Sequence, residues 1–416
     1  MTDHAYGSGT YGGGTYGGVT VTAAPTWLVQ VLDPVAGWVD RTCDVRSIDV
    51  DAGRSTYVDA FDASSLTVVF ANFAGIYSTW PPDSIWRQPS GFVGGVPIRA
   101  GSIVNGAVAW RFTGTTDAVV DAWPGTVDAV ATVTASDGMK GLARRQGLAR
   151  AAVGAGELSG ARVNRLATDA GWSGPRRIDA GVVAMQATTL EGVTVDLMRQ
   201  VGESEWGWLY VDGDGALTFR QRDAAATDPR MSTAQYVFTD DDAIAGACYS
   251  DGTALAADES HVLNVAQVTP PGVATQTYED APSKAWFGPR TWTRTDLPIL
   301  NAADALTLAQ LVVAYYKSSD RRVDAVTFDA AHRPGNVAAA HGARITDRIR
   351  FIRHLPGGYQ LDADLLVHGR SDTVTPAGDG ATLAAWDVTI KTGSALTIRD
   401  LAAWDAAGWD ANQWGL

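Results

Sequence analysis

Between Glu157 and Arg222 the period of the hydrophobic residues changes from helical to extended, and that change restricts the middle of the chain to folds that combine helices with a sheet. The stretch ELSGARVNRLATDAGW predicts a helix over 157–171, with Leu158, Val163 and Leu166 near one face and Gly171 as its C′ residue. A polar link, SGPRRIDAG, separates it from a second helix in GVTVDLMRQVGES. There Val193, Leu197, Met198 and Val201 fall at i, i+4, i+5 and i+8, the spacing of one buried stripe. Residues 206–211 then read as a strand, and Asp212-Gly213-Asp214-Gly215 as a hairpin turn, because Gly and Asp tolerate positive φ. Leu217, Phe219 and Gln221 follow on one face of the return strand. Asp212 and Asp214 also suit the start of a calcium loop, but the 12-residue pattern and its terminal Glu are absent, which favours the turn.

On both sides of this section the chain reads as strands. TWLVQVLD, CDVRSIDVD, SLTVVFANF, AVAWRFTG and VDAVATVTASD are β-branched or aromatic with partial period-two alternation, and Gly53, Gly75, Gly95, Gly101, Gly114 and Gly125 punctuate them as turn residues. The Pro/Gly-rich 80–97 predicts an exposed loop. Residues 138–153 predict a weak helix, since two glycines lie inside it. A longer amphipathic helix is expected over 302–320, turning Leu306, Leu308, Leu311, Val312 and Tyr315 inward. Strands such as VDAVTFDAA, ARITDRIRFI and TLAAWDVTIKTG close the sequence. The resulting expectation is an α+β, mostly β, multidomain chain with two β-barrel-like domains and an intervening α/β section. Its parts are a Gly/Tyr-rich N-terminal arm (1–26), a first barrel-like domain (27–140), a helical and α/β middle section (141–240), a second barrel-like domain containing the 302–320 helix (241–395), and a Trp-rich tail (396–416).

Composition narrows the function classes. With 416 residues, 46% of them hydrophobic, the chain has material for several cores. The net charge of −14 opposes adhesion to a phosphate backbone, although a negative wall suits a conduit that DNA slides past. Cys43 and Cys248 belong to no CxxC pair and are expected to be buried free thiols. The start MTDHAYGSG has neither a basic nor an apolar region of a signal peptide, and no apolar run reaches 18 residues. The expected place is the cytoplasm, or a particle assembled there.

Catalytic signatures are missing. There is no HExxH, no G-x-S-x-G and no Walker GxxxxGK[ST], and His261, His332, His341, His354 and His368 lack ligand spacing. Gly7-Ser8-Gly9-Thr10-Tyr11-Gly12 matches GxGxxG without the strand and helix that a dinucleotide fold needs around it. Lys391-Thr392-Gly393 has no S-x-x-K partner. Glu203 and Glu205 make a carboxylate pair at a helix-to-strand junction, where a solvated helix end is the simpler reading. The expectation is therefore a non-enzyme with no catalytic, metal or cofactor residues. The residues singled out for partner contact are Trp404, Trp409 and Trp414, whose spacing of five fits neither helix nor strand and so points to bound or exposed rings in an irregular segment.

Three blocks, residues 44–78, 112–143 and 162–222, resemble the tail-hub and minor tail proteins of siphophages. The Gly/Tyr arm and Trp-rich end are similar to those of minor tail proteins from phages of actinobacteria. The resemblance implies a β-rich hub with two barrel-like domains per copy. Three copies would form a ring that caps the tail tube, and two similar barrels per copy would let a threefold ring dock on a sixfold tube. Implied partners are the chain itself as a homotrimer, the distal tail protein, the tape measure protein and tail-tip or receptor-binding proteins, with DNA passing transiently through the lumen. The place implied is the virion tail, with assembly in the host cytoplasm. A carbohydrate- or receptor-binding tail protein and a tail-associated cell-wall hydrolase are the alternatives.

Overall fold

The computed structural model describes residues 15–16, 19–20, 25–55, 59–81, 84–87, 94–124, 128–148, 151–250, 253–256, 259–319, 322–376 and 383–394. The fold is α+β and mostly β, as expected. Twelve strands, drawn from both ends of the chain, share one sheet.

The first set of strands runs in antiparallel pairs from Gly37–Asp40 to Thr26–Asp33, Pro97–Val104, Ala107–Ala122, Val130–Asp137, Ser65–Ala71 and Val45–Gly53. Its first and last members are chain neighbours, separated by Arg41 and the 3-10 turn Thr42–Asp44, so the path comes back near its beginning as a circuit, with no strand pairing among the described residues that closes it into a barrel. Alternation puts Trp27, Val29 and Val31, then Leu66, Val68 and Phe70, then Ala131, Val133 and Ala135 inside.

The second set runs from Ala234–Thr239, parallel to Arg348–Leu355, through Tyr359–Pro376 and Leu383–Ser394 to Ala325–Asp329. Residues 247–250 bridge its two ends. Ala247 donates to the Val237 carbonyl at 2.8 Å and Ser250 to the Thr327 carbonyl at 2.7 Å, and the Phe238 and Phe328 rings meet at 5.1 Å.

Between these sets lies the middle section. Helices Ser159–Asp169 and Thr194–Glu205 pack beside the hairpin Trp208–Val211 and Leu217–Arg220. The expected cap is present. Gly171 has φ +71°, its N–H reaches the Thr168 carbonyl and that of Trp172 reaches Ala167, the bonding of a Schellman motif. Leu158 departs from expectation. It precedes the first helical turn, is 40% exposed, and leaves the buried face to Val163, Leu166 and Ala167. In the second helix Val195, Met198 and Val201 are buried, while Val193 and Leu197 are half-buried, so the stripe is rotated from the expected one. The polar link contributes a strand of its own, Arg176–Ile178, parallel to Leu217–Arg220. The hairpin is covered on both faces: Trp208, Leu209, Tyr210 and Val211 are all buried.

A further three-stranded sheet, with Val265–Val268 between Gln276–Glu279 and Thr291–Arg294, packs on helix Ala302–Tyr316. That helix buries Leu308, Leu311 and Val312 as expected and leaves Leu306 and Tyr315 half-buried. Its Leu308 and Val312 share a core with Val163 and Met198 of the middle section.

Three expectations are corrected. The 80–97 segment is not simply exposed: Trp86 is completely buried between strands and loop, and its Nε1 donates to the Tyr77 carbonyl at 2.7 Å. The helix after Asp137 stops at Ala143, within the first half of the expected span, after Asp137 caps it by accepting from the Met139 N–H at 2.9 Å. Cys43 is exposed and Cys248 half-buried, because the first lies in the short turn between strands and not on an inward face. No helix among the described residues is long and apolar enough to cross a membrane.

Candidate functional site

The two strand sets are joined by one strand. In Tyr359–Pro376, the first half pairs with Arg348–Leu355, and residues 369–374 pair instead with 48–53 of the first set. The ladder shifts register between Val367 and Gly369, a bulge that lets the strand pass from one circuit to the other. Gly369 stands directly opposite Gly53, which has φ +96°; a Cβ on Gly53 would lie 2.4 Å from the Gly369 Cα and from the His368 carbonyl. Only glycine fits there. His368, at the bulge, is buried edge-on against Trp208 of the middle section at 4.8 Å, and burial, reinforced by the Arg54 charge, holds it neutral with its pKa well below the ordinary histidine value. Arg54 lies over both Trp208 (4.6 Å) and Phe61 (4.5 Å). First circuit, second circuit and middle section thus converge within a few side chains.

A charged cluster locks the same junction from the other side. Arg370 and Asp372 are both buried and form a two-bond pair at 2.6 and 2.5 Å, and Trp386 Nε1 donates to the same carboxylate at 2.9 Å. The Trp386 ring meets Trp27 of the first set edge-on at 5.5 Å. Helix Pro334–Gly342 ends against this cluster. Its last carbonyls are satisfied by arginines from both sets: Arg111 donates to Ala340 (2.7 Å), Ala343 (3.0 Å) and His341, and Arg370 to Ala343 (3.2 Å). Burial, with Arg370 nearby, lowers the Arg111 pKa to about 9. His341 bonds Ser102 through Nδ1 at 3.0 Å, and burial together with Arg111 and Arg370 lowers its pKa to about 4. Such a cluster holds the two strand sets in one orientation.

The Asp212–Gly215 turn is the third fastening. Its tip rests on strand Ala107–Ala122, where Thr113 Oγ1 donates to the Gly213 carbonyl at 2.8 Å, and a Cβ on Gly213 would meet the Trp110 carbonyl at 2.4 Å. Arg177 bridges Asp212 (3.1 Å) and Asp214 (3.0 Å), so these carboxylates serve the turn. Glu205 corrects the solvated-end reading. It is fully buried and accepts from Ser159 Oγ (2.7 Å) and the N–H groups of Val182 (3.2 Å) and Val183 (3.0 Å), with burial raising its pKa. Glu203 pairs with Arg294 instead, so the two carboxylates have separate structural partners. Lys391 reaches Asp51 at 2.8 Å, and Thr392 bonds the Val323 carbonyl. Among the described residues no group of three His, Cys, Asp or Glu has the arrangement to hold a metal ion.

Trp404, Trp409 and Trp414 lie outside the described residues. Elsewhere, large apolar side chains reach solvent at one end of the first circuit: Phe73 (66% exposed), Ile76 (42%), Trp80 (70%), Val120 (59%) and Trp123 (67%). Sequence reasoning passed over both this group and Arg111. The loop aromatics had no period to mark them; Arg111, between Trp110 and Phe112, carried the one usable signal, a cation inside a strand pattern.

No protein-family model matches the sequence, and no curated protein matches it. Solved structures do share its fold. The tail protein from Neisseria meningitidis MC58 aligns over 89% of this chain and 97% of its own at TM-score 0.58 and 12% identity. The 43 kDa tail protein of prophage MuSo2 from Shewanella oneidensis aligns over 89% and 99% at TM-score 0.58 and 11% identity. The Francisella PdpA-VgrG complex aligns over 90% of this chain and 53% of the matched one at TM-score 0.50 and 9% identity. The chain therefore has the fold found in phage tail proteins, along nearly its whole described length.

Proposed function

We propose that this chain is a structural subunit of a phage tail tip, acting as a ring of three copies that caps the tail tube and connects it to the tip or receptor-binding proteins. The observation that carries the reading is the end-to-end likeness to two phage tail proteins, which covers almost all of each of them. The junction agrees with an architectural role. A subunit that passes load between neighbours needs its parts held in one orientation, and a shared strand, paired arginines on a helix end and facing glycines supply that. In this reading each copy places its two strand circuits side by side, so that three copies present six similar units to a sixfold tube. The partners are further copies of the chain, the distal tail protein, the tape measure protein and the tip proteins, and the lumen admits DNA during infection. No bond is made or broken. The division into five parts, from the N-terminal arm to the Trp-rich tail at 396–416, belongs to the same proposal, with Trp404, Trp409 and Trp414 anchoring on a neighbouring tail protein.

Light scattering on the purified full chain, with negative-stain imaging, tests this. Three chain masses and a ring with a central opening are the expected result. A monomer at every concentration, with hydrolysis of host cell wall in a zymogram, would replace the reading with an enzyme.

A further inference from the structure

Helix Pro334–Gly342 is nine residues long, yet every position from Gly335 to Ala340 is buried. Burial through more than a full turn means cover on every side and not along one stripe. At about 100° per residue the sides can be told apart. Ala339, Ala340 and Ala343 enter the large core that spans both strand sets. A Cβ on Gly335 would strike the Gly246 carbonyl, and one on Gly342 the Tyr236 hydroxyl, so the second set packs there at backbone distance. Val337 joins Val104, and His341 bonds Ser102, both on strand Pro97–Val104 of the first set. The side of Pro334 and Ala338 remains, roughly 150° round from the Ala339–Ala340 face. Ala338 is fully buried as well.

The N-terminal hairpin is placed to supply that cover. Thr15–Tyr16 and Val19–Thr20 pair antiparallel, with Thr15 opposite Thr20 and Tyr16 opposite Val19, and both strands lie against this helix. The two glycines between them in the sequence suit a two-residue turn. Tether length selects the helix of the same copy. Residues 21–25 connect Thr20 to Thr26, a reach of about 20 Å at most. Thr26 stands opposite Ile103, the chain neighbour of Val104 in the small cluster with Val337 and Ala338. The hairpin is therefore held beside its own helix at high effective concentration.

We infer that residues 15–20 act as a strap: they close the last side of helix Pro334–Gly342 within their own copy, and so steady the helix end at which Arg111 and Arg370 join the two strand sets. The strap is slight. Two paired positions are too few for a hairpin to persist away from the helix, and lifting it costs far less than opening the sheet. Its release uncovers the Ala338 side and loosens the carbonyls that the two arginines hold, so the arm and the joint between the strand sets are coupled. The coupling is set within one copy and holds whatever number of copies assemble.

Hydrogen exchange over 334–342, with helix Ser159–Asp169 as internal reference, tests the strap in the wild type and in full-length Tyr16→Pro/Val19→Pro. Proline removes the N–H groups that pair the hairpin and leaves the helix sequence intact. The expected result is exchange at least about tenfold faster over 334–342 in the variant, unchanged exchange over 159–169, and wild-type protection that is the same over a roughly hundredfold range of protein concentration. Should the proline pair misfold, a chain lacking residues 1–24 gives the same comparison. Unchanged exchange over 334–342 overturns the strap. So does an equal acceleration over 159–169, which makes the arm a general support of the fold. Wild-type protection that grows with concentration also overturns it, because the hairpin then covers the helix of another copy.

Discussion

Arg111→Met keeps most of the aliphatic stem of this side chain and removes the guanidinium from the end of helix Pro334–Gly342. The guanidinium donates to three carbonyls of that end, Ala340, His341 and Ala343. Two of these bonds have ordinary lengths, 2.7 and 3.0 Å, and hydrogen bonds from a charged donor contribute roughly 1.5–3 kcal/mol each, so about 3–6 kcal/mol is at stake. The variant also removes a buried cation from beside Arg370, which offsets part of the loss. The net expectation is a destabilisation of about 2–4 kcal/mol, concentrated where the strand circuits meet. Guanidinium chloride unfolding followed by Trp fluorescence reads the total, and hydrogen exchange over 334–342 reads the location. A second signature separates this account from generic damage. Arg111 is one of two cations that depress the His341 pKa, so in the variant that pKa rises from about 4 toward its ordinary value, which a histidine NMR titration follows. Wild-type stability, unchanged exchange in the helix and an unmoved His341 titration would refute the reasoning.

Other outcomes follow from the same geometry. Gly53→Ala is expected to cost more than Gly213→Ala, because it adds a positive φ to a 2.4 Å clash with backbone, whereas Gly213 clashes with the Trp110 carbonyl at the edge of a docked turn; denaturation midpoints rank the two, and equal midpoints would sink the junction argument. Asp137→Ala orphans the N–H groups of Ser64 and Met139, each 2.9 Å from the carboxylate, and should destabilise by about 2–3 kcal/mol in urea unfolding at neutral pH, with Asp137→Asn retaining much of the loss. His341 is neutral in the fold with a pKa of about 4 against 6.5 for an unperturbed histidine, so its contribution is complete above pH 6.5 and is lost as pH falls toward 4. After allowance for solvent screening the loss is about 2 kcal/mol at most, and His341→Asn should flatten the stability profile in that window; a profile identical to wild type would contradict it. Trp86→Ala empties a fully buried site and frees the Tyr77 carbonyl, for a loss of about 3–5 kcal/mol by the same unfolding measurement.

Legibility in the sequence varied with the range of the interaction. The hairpin 208–220 was readable because its turn chemistry and its strands are adjacent, and the cap at Gly171 because a Schellman motif is a property of six consecutive residues. The strand Arg176–Ile178 was not readable: RRI has no apolar run, and it becomes a strand only because Leu217–Arg220 lies beside it. Trp86 followed the same rule. Prolines and glycines around it signal a loop, and nothing local says that the loop folds back to place its indole on Phe70 and Tyr77. Glu205 looked solvated because its partners Ser159, Val182 and Val183 lie 22 to 46 positions away.

The sequence by itself determined the α+β class, the strand-rich flanks, the helical middle and the absence of familiar catalytic motifs, since each of these depends on period, propensity or spacing within a few residues. Tertiary structure decided how the flanks combine. Pairing between 48–53 and 369–374 makes one sheet from strands more than 300 residues apart, and Arg111 meets the end of helix Pro334–Gly342 across 229 positions. Those contacts depend on which backbone edges and which buried charges happen to face one another once the chain has collapsed, and no local pattern encodes that meeting.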